Sequence, residues 1–157
     1  MLFRSTWDKL HVEAKAETMP LIKDQLYSLL SVAEDDALAQ RALDMALTDE
    51  PGATNSARMI SVVARQHPDM AFDFALAHRV QVDKLVDSTS RSQYYPSLGR
   101  SSNDPAMIGK IEAYADAHIA KGSRRAAETV IANIDYRMMV RKDRLPEIDT
   151  WLAKNDG

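Results

Sequence analysis

Apolar residues recur at spacings of three and four along nearly the whole chain, the period of an α-helix packed on one face. From Pro20 onward, Ile22, Leu26, Leu29, Leu30 and Ala33 fall on one stripe. Asp35–Leu47 follows, with Leu38, Ala39, Ala42, Leu43, Met45, Ala46 and Leu47 apolar, a spread that predicts cover from two sides. Two acids stand in its first turn, where they favour the helix dipole. Thr48–Thr54, centred on Pro51-Gly52, reads as a turn. Asn55 or Ser56 is expected to cap a helix carrying Ala57, Ile60, Val63 and Ala64. That helix stops at His67, because the residue before a proline is driven out of the helical region. Pro68 opens the next, with Met70, Ala71, Phe74 and Ala75 facing inward, and Val80–Leu85 continues as a short helix.

Ser88–Asp104 is the least regular stretch, rich in serine with Pro96 and Gly99, and predicts a long loop. Asp104 and Pro105 then start a helix through Lys121, with Ile108, Ile111, Ala115 and Ile119 on one face and Gly122 closing it. Ser123 caps the last long helix, whose stripe is Ala127, Val130, Ile131, Ile134 and Met138. Leu145-Pro146 interrupts it, leaving Glu147–Lys154 as a closing turn or two ending in Trp151-Leu152. No alternating β-branched run competes, so the expectation is an all-α chain of about seven or eight helices. Short helices, tight links and wide apolar faces favour a superhelical stack of antiparallel helix pairs, HEAT- or armadillo-like, over a closed bundle. It reads as a single domain spanning residues 1–157, although no self-similarity at a fixed period emerges. The ends of such a stack need cover, from polar faces or from another domain.

Composition supports a folded chain. Of 157 residues 45% are apolar and 27% charged, too hydrophobic for disorder and enough for a self-sufficient core. The net charge of −3 argues against a general nucleic-acid binder. Without cysteine there is no disulfide, thiolate zinc site or cysteine nucleophile. No apolar stretch is long enough for a membrane span, and Met1–Leu10 lacks a signal peptide's apolar core, so the default expectation is a cytoplasmic chain with no membrane partner.

Chemistry-bearing constellations are sparse. No two of His11, His67, His78 and His118 have the four-residue spacing of a helical zinc site, and His11-Val12-Glu13 lacks the cysteines of a deaminase. Glu34-Asp35-Asp36 and Asp49-Glu50 lie at a helix start and in a turn, where capping and solvation account for them. Charge is uneven: Glu34–Glu50 carries six acids against Arg41, whereas Lys121–Arg144 carries seven basic residues against three acids. A charge-complementary contact explains that basic stretch better than nucleic acid, since only Tyr136 interleaves with it. Tyr94 and Tyr95, followed by Arg100, are the residues most suited to touch a peptide, because tyrosine and arginine dominate recognition surfaces. No catalytic, metal-binding or cofactor-binding set is found.

Three segments in order carry a family resemblance. Glu34–Thr48 (EDDALAQRALDMALT) resembles a landmark helix in the C-terminal domain of the aminopeptidase N and puromycin-sensitive aminopeptidase family of zinc metallo-aminopeptidases. Pro68–Val86 resembles the landmark after it, with Phe72 where the family usually has tryptophan, and Arg125–Leu152 resembles the closing helix pair. The resemblance runs from about Trp7 to Leu152. The family's HExxH zinc motif and GxMEN motif are missing here, so none of its catalytic or ligand residues is carried over. What the resemblance implies is a non-catalytic domain that closes over the catalytic cleft and restricts access to it, with polypeptide preceding Met1. The zinc would sit in the parent's catalytic domain, and the partners would be that domain and the peptide substrate. The alternative is a free-standing helical-repeat scaffold that binds another protein.

Overall fold

The computed structural model describes the backbone of residues 2–155 and the side chains of residues 6–155. The described residues are all-α, with no strand. The helices are α1 (Leu2–Ala16), α2 (Pro20–Leu30), α3 (Asp36–Ala46), α4 (Ala53–Gln66), α5 (Pro68–Ala77), α6 (Arg79–Leu85), α7 (Arg91–Leu98), α8 (Ala106–His118), α9 (Arg125–Met139) and α10 (Leu145–Asn155). The last two join through the π turn Val140–Arg144 into one continuous rod.

Helix pairs pack in sequence. α1 lies on α2, α3 on α4, and α8 on α9, with α4 and α7 as the inner helices that tie neighbouring layers together. α2 packs on α1 and α4, and α9 on α7 and α8, so these two helices stand at opposite ends of the stack. A single core runs through it, from Tyr27, Leu30 and Leu43 through Ile60, Val63 and Phe72 to Tyr95, Leu98, Ile111 and Ile134.

Local signals set most boundaries. Asp35 caps α3 by accepting from the backbone N–H of Leu38 at 3.0 Å. Pro68 begins α5, and His67 ends α4 while its Nε2 lies 2.8 Å from the carbonyl of Ala33, tying α4 to the end of the α2 layer. Gly52 adopts φ +82°, ψ 151°, a conformation essentially reserved for glycine, and lets the chain turn into α4.

Several expectations are corrected. The helix Leu2–Ala16 was not anticipated, although Trp7, Leu10 and Ala14 carry a helical stripe; the Trp7 indole N–H donates to the carbonyl of Leu30 at 2.9 Å. α2 is rotated relative to the expected stripe: Leu30 is buried and Leu26 and Ala33 pack on the core as expected, Tyr27 is buried as well, and Ile22 and Leu29 are exposed. α3 buries one stripe, with Met45 and Leu47 only half-buried at its flank. Asn55 and Ser56 do not cap α4 but lie inside it, Asn55 donating to Asp24 at 2.7 Å and to the carbonyl of Pro51 at 3.0 Å. α8 ends at His118, four residues before Gly122, which sits in the short 3₁₀ turn Lys121–Ser123.

The expected loop Ser88–Asp104 contains α7. Propensity is poor there, but burying Tyr95, Pro96 and Leu98 compensates, as tertiary packing commonly does. Leu145-Pro146 does not interrupt the last helix either. A proline tolerates the first positions after a π turn, where the hydrogen-bond ladder is already shifted.

Candidate functional site

The three residues expected to touch a peptide do not share a surface. Tyr95 is fully buried in α7, its hydroxyl donating to Asp83 at 2.7 Å and its ring 4.8 Å from that of Tyr114. Tyr94 is half-buried and donates to the carbonyl of Ala57 at 2.8 Å, pinning α7 to α4. Burial raises the hydroxyls of both tyrosines well above their ordinary range, and for Tyr95 the hydrogen bond to Asp83 adds to it. Arg100 is exposed. It shares with Arg125 an open groove of about 540 Å³ between α7 and α9, edged by Ser92, Ser97, Ser123 and Asn133. Among the described residues neither guanidinium has a hydrogen-bond or ion-pair partner, so the groove offers positive charge to a carboxylate.

Two charged clusters are structural. Asp83 on α6 gathers Tyr95, Arg79 at 3.2 Å and Arg91 at 3.5 Å, while Arg91 also donates to the carbonyls of Asp83 and Val86. The buried hydroxyl of Tyr114 beside it is pushed up to about 12, by burial first and then by the charge of Asp83. Glu50, in the turn before α4, takes a hydrogen bond from His11 at 2.6 Å and from Tyr27 at 3.0 Å, with Lys15 at 3.6 Å. It clips α1 and α2 to the α3–α4 pair. Among the described residues no group of three or more His, Cys, Asp or Glu could hold a metal ion, and no helix is long and apolar enough to cross a membrane.

Partial burial pushes the Glu50 carboxyl up, but the hydrogen bonds from His11 and Tyr27 and the charges of His11 and Lys15 outweigh it and hold it below the usual range. A carboxyl depressed in the folded state contributes stability above its unfolded pKa and loses it as pH falls through the folded value. Glu50→Gln is therefore expected to destabilise by about 1–2 kcal/mol at pH 7, with the difference closing as pH drops below about 4. Urea midpoints of both proteins at pH 7 and pH 3.5 check this; an equal gap at both would remove the carboxylate's role.

The rod beyond Val140 is a surface that no packing accounts for. Every residue from Arg141 to Asn155 is exposed, a segment about 22 Å long. It nevertheless carries Leu145 (46% exposed), Ile148 (51%), Trp151 (62%) and Leu152 (44%) on one face at spacings of three and four. The π turn extends this face backward. The N–H of Leu145 bonds to the carbonyl of Val140, five residues earlier, so Leu145 stacks one turn beyond Val140. In a plain α-helix these two would point about 140° apart. With the extra residue absorbed, Tyr136, Val140, Leu145, Ile148 and Leu152 fall into one line. The turn thus sits where it makes a continuous apolar stripe from two helical segments, and such turns occur often at functional sites.

At the opposite end, the outer face of α2 is apolar too. Leu21, Ile22 and Leu29 are exposed there, Leu21 at 70%, with Met19 and Val32 exposed just beyond its two ends. The closing segment expected to end in Trp151-Leu152 is thus a full helix, and among the described residues nothing covers those two side chains. The amphipathic spacing of Leu145, Ile148 and Leu152 was visible in the sequence; only the absence of a facing helix was not. No family model matches this chain, and no curated protein or solved structure matches it.

Proposed function

We propose that this chain is a non-catalytic, helical protein-docking module whose contact element is the rod Arg141–Asn155. The observation that carries the proposal is the apolar stripe of that rod, aligned by the π turn and uncovered along its length. A lone helix of this length is marginal in water, and its stability normally comes from burying its apolar face. Tryptophan flanked by leucine and isoleucine is also the composition of a helix that lies in a partner's groove. Ile148→Asp combined with Leu152→Asp tests the reading. Both side chains are exposed, so the urea midpoint should change by less than about 0.5 kcal/mol equivalent, whereas complex formation is lost. Undiminished complex formation by the double variant removes the proposal.

A narrower form of the proposal takes the partner to be the catalytic domain of a zinc aminopeptidase, with this chain closing over its cleft. Its support is the order of the three resembling segments, together with the unpaired Arg100 and Arg125, whose groove suits a peptide's carboxylate end. The chain alone is then expected to bind no stoichiometric zinc and to leave aminoacyl-arylamides intact. Turnover by a clean preparation would end the non-catalytic reading in either form.

A further inference from the structure

We infer that the partner of this docking module is a second copy of the same chain, joined head to tail, with the rod Arg141–Asn155 of one copy lying on the outer face of α2 in the next. The inference rests on the docking reading and names its occupant. Among the described residues two apolar faces are without a packing partner, and they stand at opposite ends of the stack. Stacked helix pairs need their terminal faces covered, and since both of these faces are apolar each can cover the other. A symmetric pairing of two rods would leave α2 bare in both copies, whereas a head-to-tail contact covers one face of each kind at every junction.

Charge points the same way. Residues 1–78 hold seven Lys and Arg against twelve Asp and Glu, a net −5; residues 79–157 hold thirteen against eleven, a net +2. The imbalance keeps its sign at the two ends: residues 6–35 carry six acids against three bases, a net −3, and residues 141–155 four bases against three acids, a net +1. Glu13 beside the exposed Val12, and Glu34 and Asp35 just beyond the exposed Val32, are exposed acids without an ion pair among the described residues. At the root of the rod, Arg141 and Lys142 are exposed bases, likewise unpaired, beside the single exposed acid Asp143, with Asp149 further along. Net charges of opposite sign therefore accompany the two apolar faces, an arrangement that steers a contact. A heterologous contact of this kind closes into a ring or continues as an open chain.

Analytical ultracentrifugation of three proteins and one mixture tests the inference. The wild-type chain is expected to rise above the 17.6 kDa monomer with concentration up to about 100 μM. Ile148→Asp/Leu152→Asp, which disables the rod, and Leu21→Asp/Leu29→Asp, which disables the α2 face, should each stay monomeric with wild-type urea midpoints. Mixed one to one, each supplies the face the other has lost, so the pair should form a dimer of twice the chain mass and nothing larger. A wild-type chain that stays monomeric overturns the inference. So does an α2-face double variant that still associates like wild type, which would mean symmetric pairing of rods. If the wild type is monomeric yet the rod variant loses a different protein in complex formation, the second-copy inference falls and the docking reading stands.

Discussion

Phe72→Ala should cost about 3–5 kcal/mol, enough to leave a domain of ordinary stability substantially unfolded. Phe72 is fully buried in α5, the helix that packs on α4 and also touches α3 and α7. Truncation opens a cavity where several layers meet, and an interior this close-packed relaxes only partly around it. The loss should appear as a lowered urea midpoint with an unchanged slope. Phe72→Leu, which refills most of the space, should recover more than half of the loss. A cost below about 1.5 kcal/mol for the alanine variant would mean that the layers slide together. The stack would then be deformable at this junction.

Removing the carboxylate of Asp83 is expected to rank next, at about 2–4 kcal/mol for Asp83→Ala. The side chain is mostly buried and receives the hydroxyl of a fully buried tyrosine together with two guanidinium groups. Its loss leaves the Tyr95 hydroxyl without an acceptor and two partly buried cations without their counter-charge. Because one acceptor serves all three groups, the effects should not add. Tyr95→Phe alone should cost about 1 kcal/mol, and should cost little in the Asp83→Ala background. Thermal or urea unfolding of the four proteins in the cycle provides the check, and full additivity would show that the hydroxyl and the carboxylate act independently.

This cluster also explains where reading the chain in one dimension stops. Asp35, Pro51-Gly52 and Pro68 announce their boundaries because each acts through its own backbone neighbours. The all-α class, the helix pairs and the inward Ile111, Ala115, Val130 and Ile134 follow from spacing alone. α7 does not, since what makes Arg91–Leu98 helical is Asp83 in the preceding helix supplying a partner for Tyr95, a tertiary fact. The same holds for the tyrosine pair as a surface: adjacent residues on a helix point to different neighbours, and here both neighbours are protein. Of the expected contact residues, Arg100 is exposed, Tyr94 half-buried and Tyr95 fully buried. For α2 the periodicity identified an apolar stripe correctly as helical, whereas in the terminal rod Leu145-Pro146 read as a break. Periodicity carries no information on whether a facing helix exists, and for Leu29, Ile148 and Leu152 none does.

The π turn has a bearing on how this chain can vary in length. Between Val140 and Arg144 the helix holds one residue more than a regular α-helical turn requires. Deleting any one of Arg141, Lys142 or Asp143 would convert that turn to ordinary α-helix without rotating Ile148 and Leu152 relative to Ile134. A deletion elsewhere in the rod would swing everything beyond it by about 100°. Descendants and cousins of this gene can therefore shed a codon at this point and keep their apolar line, and two lengths, differing by one residue, are to be expected here and nowhere else along the rod.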